Sequence, residues 1–290
     1  MKQDKFNLSW ITQRENYDNN SRSSLLNNFL INYKDRINNI IDLGCGTGSF
    51  LRWCFKNKIN INKIIMIDHN KKLLNQAPII FAKYFREKNF LFNKLSRRKF
   101  EIENIPKTKN MEIILKEDDI SSALQKINQY NLISLSAIAD LLSKTFIRKL
   151  LNKVSSNKLI YFSICFNGII KWNPTNKFDK YIINNFNRHQ KQDKGTGLAL
   201  GSECVKYIKS YSQKKKYKCL KKDSSWFVKS NKQLDRLFQH QYIKIIIKAL
   251  KEDDITDKNI LKEWHAERTK KIESKKSNLI VKHDDILIIT

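Results

Sequence analysis

Short apolar runs alternate with stretches of helical periodicity through the first half of the chain. The runs are rich in Ile and Leu and are bounded by polar residues, which predicts buried strands. Five runs of this kind lie at 37–43, 63–68, 111–120, 131–136 and 157–166. Apolar positions recur at helical spacing at 49–57, after Pro78 and at 141–154. Strands that alternate with helices form βαβ units, so the pattern predicts an α/β protein with a mostly parallel sheet.

The remaining segments are less regular. Residues 22–33 carry a helical apolar stripe, whereas 89–110 is polar and basic, which predicts a surface loop. Residues 167–201 hold most of the remaining Gly and Pro and show little periodicity. The later elements are predicted as a helix at 202–213, a short strand at 217–222, amphipathic helices at about 232–250 and 257–273, and a final strand or hairpin at 278–290.

The chain contains no linker rich in Pro, Gly or Ser, and its 290 residues are enough to bury one large core. We therefore expect an N-terminal helical cap at 1–36, followed by one α/β domain at 37–290. Within that domain, segments near 167–201 and 230–275 are expected to cover the substrate. The two helices of the later segment would form a lid or brace, or alternatively an oligomer face.

Composition excludes several classes of protein. No apolar run approaches the ~20 residues of a membrane-spanning helix, and the N-terminus lacks the apolar core of a secretory signal. The five cysteines stand at wide spacings without a CxxC pair, which argues against a metal site and against a disulfide framework. Free thiols without a secretory signal favour the reducing cytoplasm.

The net charge of +28 admits two interpretations. A strongly basic chain is typical of proteins that bind a polyanion such as RNA. A genome rich in A and T, whose codons favour Lys, Asn and Ile, produces the same excess. Asn and Ile are enriched together with Lys, and the basic residues are spread along the whole length, so we favour the compositional interpretation.

The stretch IIDLGCGTGSF, residues 40–50, indicates a nucleotide-binding turn between a strand and a helix. Glycine permits positive φ and close approach of a ligand to the backbone, and the helix that follows offers free N–H groups. The spacing is neither the G-x-G-x-x-G of dinucleotide sites nor a phosphate loop. The next strand ends in Asp68, where a carboxylate accepts ribose hydroxyls. Asp42 beside the glycines suits a ligand with a cationic amino group.

These residues resemble the first motifs of the class I S-adenosylmethionine (AdoMet)-dependent methyltransferases. The resemblance implies a Rossmann-like, seven-stranded, mostly parallel sheet with one antiparallel strand, helices on both faces and a helical cap. The cofactor would be AdoMet, lying across the ends of the first strands. It implies a cofactor-binding set made of Asp42, Gly44, Cys45, Gly46, Asp68, His69, Asp119, Ile120 and Ser136. Another α/β protein with a glycine-rich turn is the alternative.

Within that set, each residue has an implied role. Gly44, Cys45 and Gly46 would lie against the methionine part of AdoMet, with Asp42 near its amino group. Asp68 would hold the ribose, with His69 beside it. Asp119 would accept from the adenine amino group, and Ile120 would pack on the ring. Ser136 would close the floor beside the methyl group.

A narrower resemblance covers nearly the whole chain. The stretches LSWITQRENYDNNSRSSLL, SAIADLLS and FNRHQKQDKGTGLALG resemble one group of bacterial class I methyltransferases whose substrate is not assigned. The matching N-terminal positions are Trp10, Arg14, Asp18 and Arg22. Arg14 and Arg22 would clamp a carboxylate of AdoMet or of the substrate. Alternatively, both are helix-surface arginines that pair with nearby acids.

The acceptor side is predicted from residues expected under the cap. His189 is the first candidate for a catalytic base because imidazole titrates near neutrality, and Asp140 is the second. Arg188 and Gln190 would orient an anionic or polar acceptor, together with Arg14. A solvated loop position is the alternative for His189. Trp10, Trp172 and Trp226 would line the cavity, although plain packing is the more common role of such aromatics.

The leading interpretation is an AdoMet-dependent methyltransferase that acts on a small molecule. The residues after the fourth strand, Ser136 to Ala139, lack the [DN]PP[YFW] tetrad of enzymes that methylate exocyclic amines of bases or glutamine. No RNA-binding appendage is recognisable. The alternatives are an RNA methyltransferase that uses the basic surface and a protein that binds AdoMet without turnover. The acceptor atom and the oligomeric state are left open.

Overall fold

The computed structural model describes residues 8–33, 36–59, 61–103 and 110–290. The helices in these ranges are α1 (Leu8–Ser21), α2 (Ser24–Asn32), α3 (Ser49–Lys56), α4 (Lys71–Arg86), α5 (Lys144–Lys153), α6 (Asp179–Gln190), α7 (Cys204–Lys214), α8 (Gln233–Lys251) and α9 (Lys258–Glu273). The strands are β1 (Asn39–Leu43), β2 (Lys63–Asp68), β3 (Leu91–Lys94), β4 (Lys99–Glu103), β5 (Met111–Glu117), β6 (Leu132–Ser136), β7 (Leu159–Asn173), β8 (Lys218–Asp223), β9 (Trp226–Lys229) and β10 (Asn278–Ile289). Short 3₁₀ helices span Ile120–Gln129, Ala139–Leu141 and Gly201–Glu203.

One sheet of ten strands runs through the described ranges in the order β3-β4-β5-β2-β1-β6-β7-β10-β8, with β9 paired to β10. Strands β5, β2, β1, β6 and β7 are parallel to their neighbours within this group. Strand β10 runs antiparallel between β7 and β8. The expected seven-stranded core with one antiparallel strand is therefore confirmed, and β3, β4 and β9 extend it.

The prediction of a surface loop at 89–110 is wrong for the residues that the structure describes. Strands β3 and β4 form an antiparallel hairpin that continues the sheet beyond β5. Phe100 and Ile102 alternate inward while the residues between them face outward. The many charged residues of this segment hid the short period-two pattern. Residues 104–109 of the predicted loop lie outside the described residues.

The segment predicted as irregular, 167–201, begins with seven more residues of β7 and then forms α6. Ile170 and Trp172 point inward on the extended strand. In α6, Ile182, Phe186 and His189 share the buried side. These positions are spaced as on one helical face, but the many asparagines between them weakened the signal.

Helix α4 begins well before Pro78, which lies inside it. Asn70 caps the helix, because its side chain accepts hydrogen bonds from the N–H groups of Lys72 and Leu73. In α2 the predicted apolar stripe is only partly inward: Leu26 and Leu30 are buried, whereas Leu25 is 60% exposed.

Three apolar clusters stabilise the molecule. The first packs α2, α3 and α4 on one face of the sheet, and the second packs α5 and α7 on the other. The third joins α1, α6, α8 and α9 to the extended ends of β7 and β10. Helix α1 contacts α8 and β9. The cap role predicted for these segments stays a prediction. None of the helices in the described ranges is long and apolar enough to cross a bilayer.

Candidate active site

The glycine turn joins the end of β1 to the start of α3. The N–H groups of Gly44 and Cys45 donate to the Ile67 carbonyl of β2 at 2.8 and 3.0 Å. Gly48, at φ +83°, is the N-cap of α3. These contacts hold the turn at the carboxyl edge of the two central parallel strands, where ligands of open α/β sheets bind.

The three glycines of the turn serve different purposes, although all have positive φ. A Cβ on Gly44 would lie 2.7 Å from the Ile138 side chain, and one on Gly48 would lie 2.3 Å from the Phe81 ring. A Cβ on Gly46 would meet nothing within 4 Å. Gly44 and Gly48 are thus required by internal packing, and Gly46 is the glycine that faces open space.

Asp68 lies directly behind this open position. Its carboxylate accepts hydrogen bonds from the N–H groups of Gly46 and Asn70, both at 2.8 Å. The Asp68 side chain is only 9% exposed, whereas the neighbouring His69 side chain is 80% exposed with its Nδ1 3.8 Å from Asp68. The structure therefore brings Asp68, His69 and Gly46 together, and their roles toward a ligand stay predictions.

Asp42, near the end of β1, is a buried carboxyl group without a hydrogen-bond donor of normal geometry among the described residues. Burial raises the pKa of Asp42 to about 7, and the Asp68 charge adds to this. The nearby Ser134 hydroxyl and the Arg22 guanidinium act in the opposite direction. Because an unpartnered buried carboxyl is costly, this one is suited to a ligand that brings a donor or a positive charge.

The predicted adenine residues lie at the same sheet edge, beyond β5. Asp119 is exposed, and one of its carboxylate oxygens accepts from the Ser121 N–H at 2.7 Å, which caps the 3₁₀ helix. Ile120 is half-buried against the second apolar cluster. Both residues therefore border the strand next to β2, and their contact with adenine stays a prediction.

Arg22 is buried beside the last residue of β6 and its pairing partner in β7. Its guanidinium donates to the Ser136 hydroxyl at 2.7 Å and also to the Ser163 hydroxyl. The Trp53 ring lies 5.0 Å from the guanidinium carbon. Arg22 is therefore not the helix-surface residue of the alternative interpretation, because its side chain is buried and two of its nitrogens bind serines of β6 and β7. Its role as a ligand clamp stays a prediction.

A buried carboxylate balances this guanidinium. Asp285 of β10 accepts from the Tyr161 hydroxyl at 2.7 Å, from the Ile164 N–H at 2.7 Å and from the Ser23 N–H at 3.0 Å. Ile164 has φ +54°, a strained value for a β-branched residue. Asp285 therefore fixes both the start of α2 and the bend of β7 beside the site.

Helix α1 is fixed against the glycine turn by a second arginine. Arg52 of α3 donates to both carboxylate oxygens of Glu15 in α1, at 2.7 and 2.5 Å. The same guanidinium donates to the Thr47 carbonyl at 2.7 Å. No role was predicted for Arg52 or Glu15, because their ion pair joins segments that lie far apart in the chain.

Arg14 is paired with an acid, as its alternative interpretation holds, but it is not on the surface. Its guanidinium lies against both oxygens of Asp18, at 3.0 and 3.4 Å, and over the Trp226 ring at 5.1 Å. Asp18 also accepts from the Trp226 indole at 3.0 Å. Arg14 is thereby held in one orientation beside Trp226, and its contact with an acceptor stays a prediction.

Asp140 lies in the 3₁₀ helix that directly follows β6. Burial raises its pKa to about 6, while the charges of Arg14 and Lys194 act in the opposite direction. Burial also raises the pKa of Tyr242, and burial together with Arg14 lowers the pKa of His283 to about 3. The pKa of Asp140 therefore lies closer to neutral pH than that of an ordinary carboxyl group.

The residues predicted around the acceptor at 188–190 do not all face one way. His189 is buried in α6 and is not a solvated loop residue. Arg188 is exposed and donates to Asp253 at 2.6 Å, which braces α6 against the segment after α8. Gln190 is the half-buried last residue of α6. Their roles toward an acceptor stay predictions.

The three tryptophans pack in two places. Trp10 and Trp226 meet edge to face at 6.1 Å beside Arg14, on the acceptor side. Trp172 packs edge to face against Trp264 of α9 at 5.5 Å, with Arg268 over its ring. Trp172 therefore serves packing between β7 and α9.

No protein-family model matches the sequence, and no curated protein matches it. Among solved structures, the YcgJ protein of Bacillus subtilis is 9% identical with a TM-score of 0.48, over 92% of this chain and 99% of its own. A putative sarcosine dimethylglycine methyltransferase of Galdieria sulphuraria is 11% identical with a TM-score of 0.41, over 91% and 84%. A SAM-dependent methyltransferase of Geobacter sulfurreducens is 9% identical with a TM-score of 0.43, over 95% and 97%. Likenesses this weak carry no information about activity.

The strand order decides the architecture. The central seven strands run β5-β2-β1-β6-β7-β10-β8, with β10 antiparallel and the glycine turn after β1. A seven-stranded, mostly parallel sheet with one antiparallel strand is the arrangement that the resemblance to class I methyltransferases implies. A shared fold hosts many reactions, so the function has to be argued from the site residues.

Proposed function

We propose that this protein transfers a methyl group from AdoMet to a small-molecule acceptor. The observation that carries the proposal is the combination of an orphaned buried carboxyl, Asp42, with an open glycine, Gly46, and a carboxylate behind it, Asp68. We call the glycine turn with these two carboxyl groups the cradle. It suits a ligand that offers both a cationic amino group and a pair of hydroxyls. A dinucleotide, with its pyrophosphate, would meet two carboxyl groups at this edge instead.

Each residue of the cradle has a role toward AdoMet in this proposal. Asp42 receives the ammonium group, and the backbone at Gly44, Cys45 and Gly46 lies against the methionine part. The second lone pairs of the Asp68 oxygens accept from the ribose hydroxyls. Asp119 and Ile120 hold the adenine, His69 lies beside the ribose, and Ser136 forms the floor on the acceptor side.

AdoMet supplies a methyl group already activated for in-line displacement. The protein then has to align the acceptor and exclude water, and alignment of this kind contributes roughly 7–11 kcal/mol to lowering a barrier. Arg22 and Asp285 fix the end of β6 and the neighbouring residues of β7, beside which the acceptor would meet the cofactor. Helix α1, held by Glu15 and Arg52, shields the glycine turn from water.

Asp140 takes the acceptor proton where the acceptor must lose one. Its position directly after β6 and its pKa of about 6 support this role, because an ionised carboxylate is then present at neutral pH. His189 is the second candidate for the base. Arg14, which Asp18 holds in place, contributes a positive charge for an anionic acceptor.

Helix α1 covers the side of the site where the acceptor would bind, and this supports a small acceptor. Trp10 and Arg14 of α1 pack against Trp226 of β9, so α1 lies across the acceptor side. The reaction is tested by incubating the protein with methyl-labelled AdoMet and extracts of the source cells, with Asp68→Ala as a control that lacks the ribose acceptor. Label in small molecules that depends on the unaltered protein supports the proposal.

Other outcomes of this assay support the alternatives. Label in RNA would make the protein an RNA methyltransferase. If AdoMet binds in calorimetry but label appears in neither fraction, the protein is a non-catalytic AdoMet-binding protein. The absence of AdoMet binding, with the fold intact by circular dichroism, would contradict the whole assignment.

A further inference from the structure

Helices α5 and α7 and the edge strand β8 form a strongly basic surface. We define this basic face by the Lys and Arg residues of two segments, 144–158 and 204–222. The first segment has five such residues and the second has eight, and neither contains an Asp or Glu. The chain as a whole has one acid for every two basic residues, 28 against 56. Composition alone therefore does not account for this separation of charge.

The charges of the basic face are largely unneutralised. Among its thirteen basic residues in the described chain, only Lys221 makes an ion pair, with Asp284 at 2.7 Å. Elsewhere many surface charges are paired, for example Lys99 with Glu112 and Lys177 with Glu263. Like charges gathered without counter-charges repel one another, so an anionic partner would stabilise this surface.

The basic face is continuous, and one end of it lies at the carboxyl edge of the parallel strands. Helices α5 and α7 contact each other, and α7 contacts β8. Helix α5 starts four residues after Asp140, and its N-cap Ser143 is bound through its N–H to Thr196 at 3.1 Å. A polymer bound along the basic face toward the N-terminus of α5 would therefore end beside Asp140.

Aromatic rings lie between the cations. Tyr207 and Tyr211 stack with their centroids 5.9 Å apart, and both are half-buried. The Tyr211 hydroxyl donates to Asn152 of α5 at 3.0 Å, which fixes the ring at the seam of the two helices. The ammonium group of Lys144 lies over the Tyr207 ring at 5.9 Å. Fixed rings among cations are typical of surfaces on which unpaired bases stack.

A membrane is a poorer match for this surface. Peripheral membrane helices insert large apolar side chains beneath the basic ones. The exposed large apolar residues of the described chain all lie outside the two segments. The same observation argues against an apolar protein partner.

We propose that the basic face binds single-stranded nucleic acid through its phosphates, with bases stacking at Tyr207 and Tyr211. Binding needs no methyl transfer, so this inference is independent of the proposed reaction. It also limits the compositional explanation of the net charge: the excess as a whole reflects codon usage, whereas its concentration on α5, α7 and β8 serves binding.

The experiment measures fluorescence anisotropy of labelled single-stranded RNA and DNA of about 20 nucleotides, from about 50 to about 200 mM salt. One variant carries Lys149, Lys153, Lys206 and Lys209 as Gln, all exposed positions on α5 and α7. The control carries the same change at four exposed lysines elsewhere, at positions 83, 88, 248 and 262. A third variant has Arg at the four positions of the face.

We expect the face variant to bind at least about tenfold more weakly than the unaltered protein near 100 mM salt. Its salt dependence should be shallower by about 3 in log–log slope, since each lost phosphate contact removes about 0.7. The control and the arginine variant should stay within about threefold. RNA and DNA bound alike indicates phosphate and stacking contacts, and preferential RNA binding indicates contact with the 2′-hydroxyl.

Two results would overturn the proposal. In the first, the control loses as much affinity as the face variant, which means that binding follows total charge. In the second, the unaltered protein binds anionic phosphatidylserine vesicles in a way that depends on the four lysines but does not bind either nucleic acid. Thermal unfolding of each variant shows that a loss of binding is not a loss of fold. Should the fourfold glutamine variant unfold, the test is repeated with only two lysines changed to Gln at a time, Lys149 with Lys153 or Lys206 with Lys209.

Discussion

The carboxylate of Asp68 accepts a hydrogen bond from the backbone N–H of Gly46 at 2.8 Å. The two residues come from different βα connections and meet because β1 and β2 are parallel neighbours. This bond couples the shape of the glycine turn to the side chain that we propose holds the ribose. A change at either residue should therefore alter ligand binding through the other.

Substitution of Gly46 and Gly48 by alanine separates ligand contact from packing. We expect Gly46→Ala to fold with a loss of about 1 kcal/mol, because φ +55° is strained for alanine but space for the Cβ is available. Its AdoMet affinity should fall at least tenfold because the methyl group enters the cradle. Gly48→Ala should lose more stability, since its Cβ would lie 2.3 Å from the Phe81 ring.

Urea unfolding and calorimetric titration with AdoMet measure both effects, and Phe81→Leu combined with Gly48→Ala should restore part of the stability. Unchanged AdoMet affinity in Gly46→Ala would show that the ligand does not approach this backbone.

Asp68→Ala should abolish measurable AdoMet binding. The ribose loses its acceptor, and the N–H groups of Gly46 and Asn70 lose their partner, which costs about 1–3 kcal/mol of stability. Asp68→Asn keeps one acceptor oxygen and should bind AdoMet weakly. Calorimetry on both variants, with Glu252→Ala as a control at an exposed carboxylate, checks the order. Equal affinities for Asp68→Ala and the unaltered protein would refute the ribose assignment.

Asp42 should make AdoMet binding depend on pH. Its pKa rises from 3.8 to about 7 in the folded protein, so the folded state keeps a proton that the unfolded state has released. Between these values, Asp42 makes the free energy of unfolding fall as pH rises. A cationic ligand favours the ionised form, so affinity should weaken as pH falls below about 7, approaching tenfold per unit.

The titration is run by calorimetry in buffers from about pH 5.5 to 7. Asp42→Asn should bind AdoMet weakly and without this pH dependence. If the unaltered protein binds equally well across the range, Asp42 is not the partner of the ammonium group.

Asp140 and His189 are distinguished by the pH dependence of turnover. With Asp140 as the base, kcat should rise through a pH of about 6 and then level off, because the ionised carboxylate is the active form. Asp140→Asn should lower kcat about 10²–10⁴-fold and abolish the rise of kcat with pH, with AdoMet affinity unchanged. His189→Ala should keep this rise. If His189→Ala abolishes the rise and Asp140→Asn does not, His189 is the base.

Arg22→Met should destabilise the protein by about 3 kcal/mol or more, since it removes the cation that interacts with the buried Asp285 and leaves the Ser163 hydroxyl without its donor. It should also weaken AdoMet binding near neutral pH, because Arg22 lowers the pKa of Asp42. Urea unfolding measures the first effect. Arg86→Met, at an exposed position, is the control and should stay within about 0.5 kcal/mol.

Several strands of the sheet could be predicted from local sequence patterns. The strands at 63–68 and 131–136 and the helix after the glycine turn were predicted within a few residues, because each carries a continuous apolar run or stripe of its own. The hairpin of β3 and β4 was missed because only Phe100 and Ile102 mark it. Helix α6 was missed because asparagines interrupt its buried face.

The sequence by itself determined the strand–turn–helix unit at 39–56, the carboxylate at the end of the next strand and, through them, the kind of ligand to expect. These features depend on neighbouring residues, which spacing reveals. Only the tertiary structure decided that Gly46 is the one glycine of the three in the turn that faces open space, that Arg22 meets Ser163, and that the unpaired lysines of α5 and α7 share one surface. Such relationships join segments far apart in the chain, and they are fixed by how those segments pack rather than by any pattern within them.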